Sequence, residues 1–537
     1  MNHYLNLSND LFEITLNSDI YVDKSEIINF LNKSILTSRR FICLSRPRRF
    51  GKSVTAQMLC SYYSKCLDSS SQFENLKISS FPSYRQHLNQ YDVIFINMSD
   101  EFGRASHNVK LMIEYLTDSI VKELKETYKN CEISSPEFLD LSLQEVYNYS
   151  KVPFVFVIDE WDWIMREKKE DPDSLKQYLE WLKAIFKDKP YVALSYMTGI
   201  LPIKKYGTQS ALNMFKEYSM IAPRNFAPFI GFTEEEVNNI CTKHDVDFNQ
   251  MKTWYDGYSF KTIPHIYNPN SVVQSIEDGE FTSYWTNTES FESLQEYIDM
   301  NMEGLKDDIV KLIAGEDVVV NVAKFQNDMV TFKTKNDVLT LLIHLGYLAI
   351  KPDSDIRVDN ISKFVVHIPN EEIKMEFRNV VEDNPNYSGV YNLIYKSYEL
   401  LKDIWSLNSD AVAKVLDEAH QDHTSILTYN DENSLSCVIS LSLVLSTTTD
   451  TYNVIRELPT GKGYADLVYL PKKGVNKPAL LIELKYDKSA QSAITQIKEK
   501  NYLQFFKDYK GEVLLVGINY SKDTKTHQCI IEKVMNG

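Results

Sequence analysis

Long apolar runs are missing from this chain. No stretch approaches the roughly 20 residues that a membrane-spanning helix needs, so no membrane partner is expected. Met1 to Asp10 hold neither a basic segment nor an apolar core, and no secretory signal is read there. Cysteine is sparse: Cys43, Cys60, Cys66, Cys131, Cys241, Cys437 and Cys529 are scattered and odd in number. They show no paired metal-ligand spacing, which argues against a disulfide framework or zinc site and for a reducing, cytoplasmic setting. Excess positive charge is missing too. A net charge of −16 argues against a protein that coats nucleic acid, although a local cationic groove remains compatible with it. No internal repeat or low-complexity tract is present.

What remains is the composition of a globular protein: 43% apolar residues, with 33 tyrosines and 26 phenylalanines in 537 residues. That length is too great for one core and suggests roughly three or four domains.

The most informative stretch is Leu44-Ser45-Arg46-Pro47-Arg48-Arg49-Phe50-Gly51-Lys52-Ser53, which follows an apolar run and reads as a phosphate-binding loop opening a helix. Gly51-Lys52-Ser53 supplies backbone N–H groups at a helix N-terminus, a lysine for the β- and γ-phosphates, and a hydroxyl for Mg²⁺. Arg46 stands where the G-x-x-x-x-G-K-[ST] pattern has its first glycine, so the turn must be made by other means, with Pro47 fixing one φ. Gly-Lys-Ser also occurs in ordinary surface turns. A second signal therefore matters: Phe154 to Ile158 reads as a short buried strand ending in Asp159 and Glu160, similar to a Walker B strand. Taken alone, it is equally a buried strand capped by solvated acids. Together the two motifs point to ATP with Mg²⁺. Arg39, Arg40, Arg46, Arg48, Arg49 and Lys52 concentrate positive charge at the loop, for which a triphosphate is the simplest partner.

The N-terminal part alternates strand and helix. Strands are predicted at Phe41 to Ser45, Tyr91 to Asn97, Phe154 to Ile158 and Tyr191 to Thr198. Helices are predicted at Lys52 to Lys65, Asn108 to Tyr128 and Ser174 to Phe186. Such alternation implies a parallel sheet with helices on both faces. After Gly231 the texture becomes helical, and Thr233 followed by Glu236 is a capping-box signature. The segment from Val338 to Leu348 followed by a polar hairpin suggests a winged helix, used in DNA binding and in protein packing alike.

A second constellation lies near the C-terminus. Asp466 leads a strand through Leu470, and the next strand ends Glu483-Leu484-Lys485. Alternation puts Glu483 and Lys485 on one face. If the two strands pair, Asp466 and Glu483 can converge on Mg²⁺ while Lys485 orients water near a scissile phosphate. A helix from Ser489 to Phe506 carries Gln496 and Lys500 on one face, and a strand from Val513 follows. An exposed Glu/Lys ion pair is the plain alternative. The order β-β-α-β resembles the PD-(D/E)XK nuclease core, in which Glu432, on an upstream helix near Asp431 to Val444, would be a further acidic ligand.

Both ends are similar to one family, the bacterial AAA-ATPase-like proteins fused to a C-terminal PD-(D/E)XK nuclease-like domain. The matching segments are Tyr21-Val22-Asp23-Lys24, the Leu44–Ser53 loop, Thr198-Gly199, Gly231 to Val237, Trp254-Tyr255-Asp256-Gly257-Tyr258, Tyr284-Trp285, Gly463-Tyr464-Ala465-Asp466 and Glu483-Leu484-Lys485. The resemblance implies an α/β fold: a P-loop NTPase parallel sheet with a helical lid, a winged-helix-like middle region and a nuclease-like α/β domain. The expected boundaries are 1–231, 232–289, 290–383, a helical connector at 384–425, and 426–537. It also makes the Arg46 form of the loop the family's own, while Tyr464 stands where relatives carry arginine.

Roles follow from the resemblance. Arg48, Arg49 and Gly51 line the phosphates; Lys52 grips the β- and γ-phosphates and Ser53 ligates Mg²⁺. Asp159 holds the metal through water and Glu160 polarises the attacking water. Thr198 is a candidate γ-phosphate sensor, and Arg224 a candidate for transition-state charge in its own subunit or a neighbour's in a homo-oligomer; for both, a structural role is the competing reading. Asp466, Glu483 and Lys485 are the nuclease candidates, with Asp466, Glu483 and Glu432 as metal ligands. Trp254 to Tyr258 reads as a packing turn with Gly257 at a strained φ. The expectation is an ATPase that regulates a Mg²⁺-dependent nuclease acting on DNA or RNA. The alternatives are a nucleotide switch whose nuclease-like domain only binds, and a scaffold with degenerate sites.

Overall fold

The computed structural model describes residues 2–203, 212–285, 290–300, 302–323, 325, 332–351, 356–358, 361–382, 384–421, 432–443, 451–460, 463–472, 474–500, 502–507 and 509–535. The chain forms two compact units: residues 1–285 with 319–372, and residues 286–318 with 373–537.

In the first unit, five parallel strands form one sheet. They are β1 (Phe41–Ser45), β2 (Asp92–Asn97), β3 (Phe154–Asp159), β4 (Val192–Gly199) and β5 (Lys216–Tyr218), in the order β2-β3-β4-β1-β5. Parallel strands joined by crossover helices are covered on both faces, so they read as apolar runs without alternation. Side chains still alternate between two cores. Phe41, Cys43, Ile94, Ile96, Phe154, Phe156 and Ile158 pack with the helices Val109–Thr127, Leu139–Ser150 and Pro172–Phe186. Ile42, Leu44, Val93, Val155 and Val157 pack with the Lys52–Tyr63 helix.

The helices start where their caps dictate. Asn108 accepts from the Leu111 N–H, and Asp171 from the Ser174 N–H with Pro172 in the first turn. The Thr233/Glu236 capping box is formed on both sides. Glu236 also takes the half-buried Lys24 ammonium at 2.5 Å, which ties the Tyr21–Lys24 segment to that helix. Beyond Gly231 an antiparallel sheet accompanies the helices, β6 (Phe232–Thr233), β7 (Tyr258–Phe260) and β8 (Ile263–Tyr267), ordered β6-β8-β7. At two to five residues, these strands are too short to show a period in sequence. Gly257 sits at φ +124, and a Cβ there would lie 2.1 Å from the Pro369 carbonyl oxygen. Only glycine fits that close approach.

Further along come β9 (Val318–Asn321), the helix Lys335–Leu345, and the strands β10 (Ala349–Ile350), β11 (Ile356–Val358) and β12 (Ile361–His367). β12 pairs antiparallel with both β10 and β11, so a helix is followed by a small antiparallel sheet.

The second unit contains a mixed sheet in sequential order: β13 (Tyr452–Thr460), β14 (Gly463–Pro471), β15 (Ala479–Tyr486), β16 (Glu512–Ser521) and β17 (Thr526–Met535). β14 runs antiparallel to β15, and β15 runs parallel to β16 through the crossover helix Ala490–Glu499. The helix expected to reach Phe506 ends at Glu499, and a 3₁₀ turn spans Tyr502–Phe506. Gly517 on β16 makes room for this helix, because a Cβ there would lie 2.6 Å from the Ala490 carbonyl oxygen.

Candidate functional site

Parallel strands bring their C-terminal ends to one edge, and the P-loop features meet there. Ser45 pairs with Gly199, Leu44 with Thr198, Ile158 with Met197 and Asn97 with Asp159. The loop after β1, the turn after β3 and the end of β4 are thereby neighbours.

Arg46 explains the missing glycine. Its guanidinium is buried and donates to the carbonyls of Phe50 (3.3 Å) and Phe229 (2.6 Å), the Thr55 hydroxyl (3.2 Å) and the Tyr196 hydroxyl (3.0 Å). A side chain fills the space inside the loop and braces it, where the usual pattern has empty room for a tight turn. Arg49 and Gly51 both take positive φ, +64 and +72. Gly51 opens the helix whose second residue is Ser53.

Lys52 is buried and donates to the Pro47 and Arg46 carbonyls at 2.8 and 3.4 Å. Burial lowers its pKa to about 8, against the pull of the Glu160, Asp159 and Asp162 carboxylates. Asp159 is fully buried. Its pKa is raised by burial, and the Ser53 hydroxyl and the Lys52 charge pull it back. One oxygen accepts the Glu160 N–H at 3.0 Å; the other, Oδ2, finds no hydrogen-bond partner among the described residues. An orphaned carboxylate oxygen beside a hydroxyl and an ammonium suits Mg²⁺ held with a triphosphate.

The remaining expected residues fall out as follows. Glu160 follows at φ +50 with its carboxyl raised by burial. Thr198 is buried at the end of β4, and its hydroxyl donates to the Leu44 carbonyl at 3.0 Å. Arg48 is half-buried on the loop, and Arg49 donates to the Tyr284 carbonyl at 2.8 Å. Arg224 is exposed at the head of a 3₁₀ turn, and no described contact joins it to Lys52, Asp159 or Glu160.

Sequence reading missed Asp162 and Arg166. Asp162 is buried and accepts the Ile200 N–H at 3.2 Å and the Leu201 N–H at 2.9 Å. Its place three residues after Asp159 was the available signal.

On the second unit, β14 and β15 pair with Leu467 opposite Ile482 and Val468 opposite Leu481. Continuing that register sets Asp466 opposite Glu483, on one face. Asp466 accepts the Leu484 N–H at 2.7 Å. Glu483 is buried, and its Oε1 accepts from Lys485 at 3.2 Å and from the Gln496 amide. Gln496 also meets the Tyr502 hydroxyl at 3.3 Å, which in turn donates to the Tyr464 carbonyl at 2.7 Å. Tyr464 itself is exposed. Lys500, one turn beyond Gln496, has no described bond to Glu483.

Burial first, and then the Asp466 charge, push the Glu483 carboxyl up to about 7, with Lys485 working against both. Glu483 Oε2 has no hydrogen-bond partner among the described residues. A divalent cation would relieve both the repulsion and the orphaned oxygen. Among the described residues, no three His, Cys, Asp or Glu side chains gather as a metal cage. The donors here are the Asp466/Glu483 pair, whose remaining positions solvent and phosphate oxygens would fill. Glu432 opens the Glu432–Ser442 helix, and its side chain lies outside the described residues, as do Gly461 and Lys462.

Comparison with known proteins gives two family matches: predicted AAA-ATPase over residues 9–208 and the PD-(D/E)XK nuclease superfamily over residues 431–529. An uncharacterised protein from the vnfD 5′ region of Azotobacter chroococcum mcd 1 is 22% identical over 251 residues, 46% of this chain and 46% of that protein. The chain thus spans about half the length of this curated relative. Among solved structures, the Walker-type ATPase of Pyrococcus abyssi is similar over 68% of this chain and 97% of its own, at 14% identity and a TM-score of 0.33. The ORC1 protein of Aeropyrum pernix, solved in complex with DNA, covers 69% of this chain and 96% of its own, at 11% identity and a TM-score of 0.25. Among the described residues, no helix is long and apolar enough to cross a membrane.

Proposed function

For a chain that carries a predicted AAA-ATPase domain at residues 9–208 and a PD-(D/E)XK nuclease-superfamily domain at residues 431–529, we propose nucleotide-regulated cleavage of nucleic acid. The first domain binds and hydrolyses ATP; the second cuts a phosphodiester with Mg²⁺. One repeated feature carries the reading. In each domain a buried carboxylate, Asp159 or Glu483, keeps an oxygen without a partner among the described residues, beside a buried lysine, Lys52 or Lys485.

In the ATP site, Lys52 leaves the Pro47 and Arg46 carbonyls for the β- and γ-phosphates, and Gly51 lets the loop's N–H groups face them. Ser53 and Asp159 hold Mg²⁺, Glu160 orients the attacking water, and Thr198 marks the γ-phosphate end of β4. Arg48 and Arg224 add positive charge, Arg224 in its own copy or a neighbour's. In the nuclease site, Asp466 and Glu483 hold the second ion, with Glu432 from the upstream helix as a third ligand. That ion supplies charge neutralisation at the phosphate and a more acidic water. Lys485, kept near Glu483, orients the water, and Gln496 fixes the Glu483 carboxylate from the helix side.

Charge supports a nucleic-acid substrate. Residues 426–537 carry 14 Lys and Arg against 12 Asp and Glu, a surplus of two positive charges in a chain whose net is −16.

Coupling between the sites has a physical basis in Arg49. It donates to the Tyr284 carbonyl, while the Tyr284 N–H donates to the buried Glu372 at 3.0 Å. The chain passes from the first unit to the second just after Trp285 and again just after Glu372. A P-loop residue is therefore bonded beside the first exit, and Tyr284 carries the contact on to Glu372 at the other. The test is phosphate release from ATP by purified protein, with Lys52→Ala and Glu160→Gln as controls, run beside cleavage of DNA and RNA in Mg²⁺. ATP turnover without cleavage favours the switch reading; loss of neither activity in the variants overturns the assignment.

A further inference from the structure

The turn after β3 places a guanidinium against the residue assigned to activate water. Arg166 lies on the short helix Trp163–Glu167 with only 11% of its side chain exposed. Its Nη2 stands 3.5 Å from Glu160 Oε2, and its Nε stands 3.3 Å from Asp162 Oδ2, an ion pair without hydrogen-bond alignment. The guanidinium also lies over the Trp163 ring, 4.7 Å from its centroid.

Asp162, the anchor of this arginine, is itself fixed. Besides the Ile200 and Leu201 N–H groups, it meets β4 so closely that a Cβ on Gly199 would fall 2.2 Å from Asp162 Oδ1. A rigid chain of contacts thus runs from the end of β4 through Asp162 and Arg166 to Glu160. Glu160 needs such support, because a non-glycine residue at φ +50 holds its backbone only where the surroundings impose it.

The charged groups that bear on Glu160 are Arg166, Lys52, Asp162 and Asp159. Of the two cations, Lys52 is the one that phosphates claim when ATP binds. Arg166 is left as the lasting counter-charge, and its anchors do not depend on nucleotide. We propose that Arg166 is a positioning residue for ATP hydrolysis: it holds the Glu160 carboxylate at the angle from which it addresses the attacking water. The inference rests on the ATPase reading above. A displacement of the base by about an ångström costs on the order of 100-fold in rate without weakening substrate binding.

The experiment compares full-length wild type, Arg166→Gln, Arg166→Lys, Glu160→Gln and the Glu160→Gln/Arg166→Gln double variant. It reads kcat and KM for ATP, the Kd of a fluorescent ATP analogue, and the melting curve. Arg166→Gln is expected to lose about 10- to 100-fold in kcat with KM and Kd within about twofold of wild type. Arg166→Lys recovers part of that loss. Adding Arg166→Gln to Glu160→Gln changes the residual rate by less than about twofold, since the arginine acts through the glutamate. Wild-type kcat in Arg166→Gln, a loss confined to Kd, or additive losses in the double variant would overturn the proposal. If Arg166→Gln melts below the assay temperature, Arg166→Lys decides: unchanged melting with reduced kcat supports the role, and unchanged kcat contradicts it. Wild type without ATP turnover overturns the ATPase reading and this inference together, whereas normal turnover in every Arg166 variant overturns this inference alone.

Discussion

The Arg46 guanidinium donates to the Phe229 carbonyl at 2.6 Å, joining the phosphate-binding loop to a segment 183 residues further along the chain. Together with Thr55, Tyr196 and Phe50, this contact makes Arg46 a buried brace. Restoring the usual glycine is therefore harmful. Arg46→Gly leaves buried acceptors unpaired and a void in the loop. The expected cost is about 3 kcal/mol or more, read as an earlier first transition in calorimetry, with ATP binding weakened in parallel. A variant as stable as wild type would refute the brace.

Arg49 is predicted to couple the two activities. Arg49→Ala removes the bond to the Tyr284 carbonyl, which adjoins the exits to the second unit. ATP hydrolysis is expected to stay within about threefold of wild type, as for the loss of one partly exposed hydrogen bond. The response of cleavage to ATP is expected to disappear. Cleavage assays with and without ATP, beside phosphate release, check both halves.

Asp466→Asn is nearly isosteric and keeps an acceptor for the Leu484 N–H. It removes the charge that helps push the Glu483 carboxyl up to about 7. Without nucleotide or metal, the variant is expected to melt no lower than wild type. Adding Mg²⁺ should raise the melting temperature of the second unit in wild type only, and EDTA should reverse the rise. Cleavage is expected to vanish in the variant.

His344 gives the first unit an acid limit. It is buried on the Lys335–Leu345 helix, and its Nδ1 finds no hydrogen-bond partner among the described residues. Burial holds its pKa at about 3, against the ordinary 6.5. Between those values the unfolded chain binds a proton that the folded chain does not, so stability rises with pH across the window and falls on acidification. The slope from this group approaches about 1.4 kcal/mol per pH unit below pH 6. His344→Phe should flatten that limb of a stability–pH curve measured by urea unfolding, and an unchanged limb would contradict it.

Much of the first sheet was legible in the sequence because its strands are apolar on both faces and its helices carry side-chain caps. β1 at Phe41–Ser45 coincides with the expected strand, and β3 extends it by Asp159. The Asp466/Glu483/Lys485 group was legible because strand alternation fixes which residues share a face. Arg46 was not. Its partners Tyr196 and Phe229 are distant in sequence, and nothing local marks a buried guanidinium. Arg166 was hidden for a similar reason: it meets Glu160 directly but is held in place by Asp162, whose own anchors, the Ile200 and Leu201 N–H groups, lie just past β4. The β6–β8 sheet was missed because strands of two to five residues carry no readable period.

The most direct test is cleavage of defined single- and double-stranded DNA and RNA oligonucleotides by full-length protein in Mg²⁺, with and without ATP, beside Lys52→Ala and Asp466→Ala. Wild type is expected to give product whose yield changes with ATP, Lys52→Ala product that ignores ATP, and Asp466→Ala none. Intact substrates in both Mg²⁺ and Mn²⁺ while ATP is still hydrolysed, or equal product from Asp466→Ala, would contradict nucleotide-regulated cleavage.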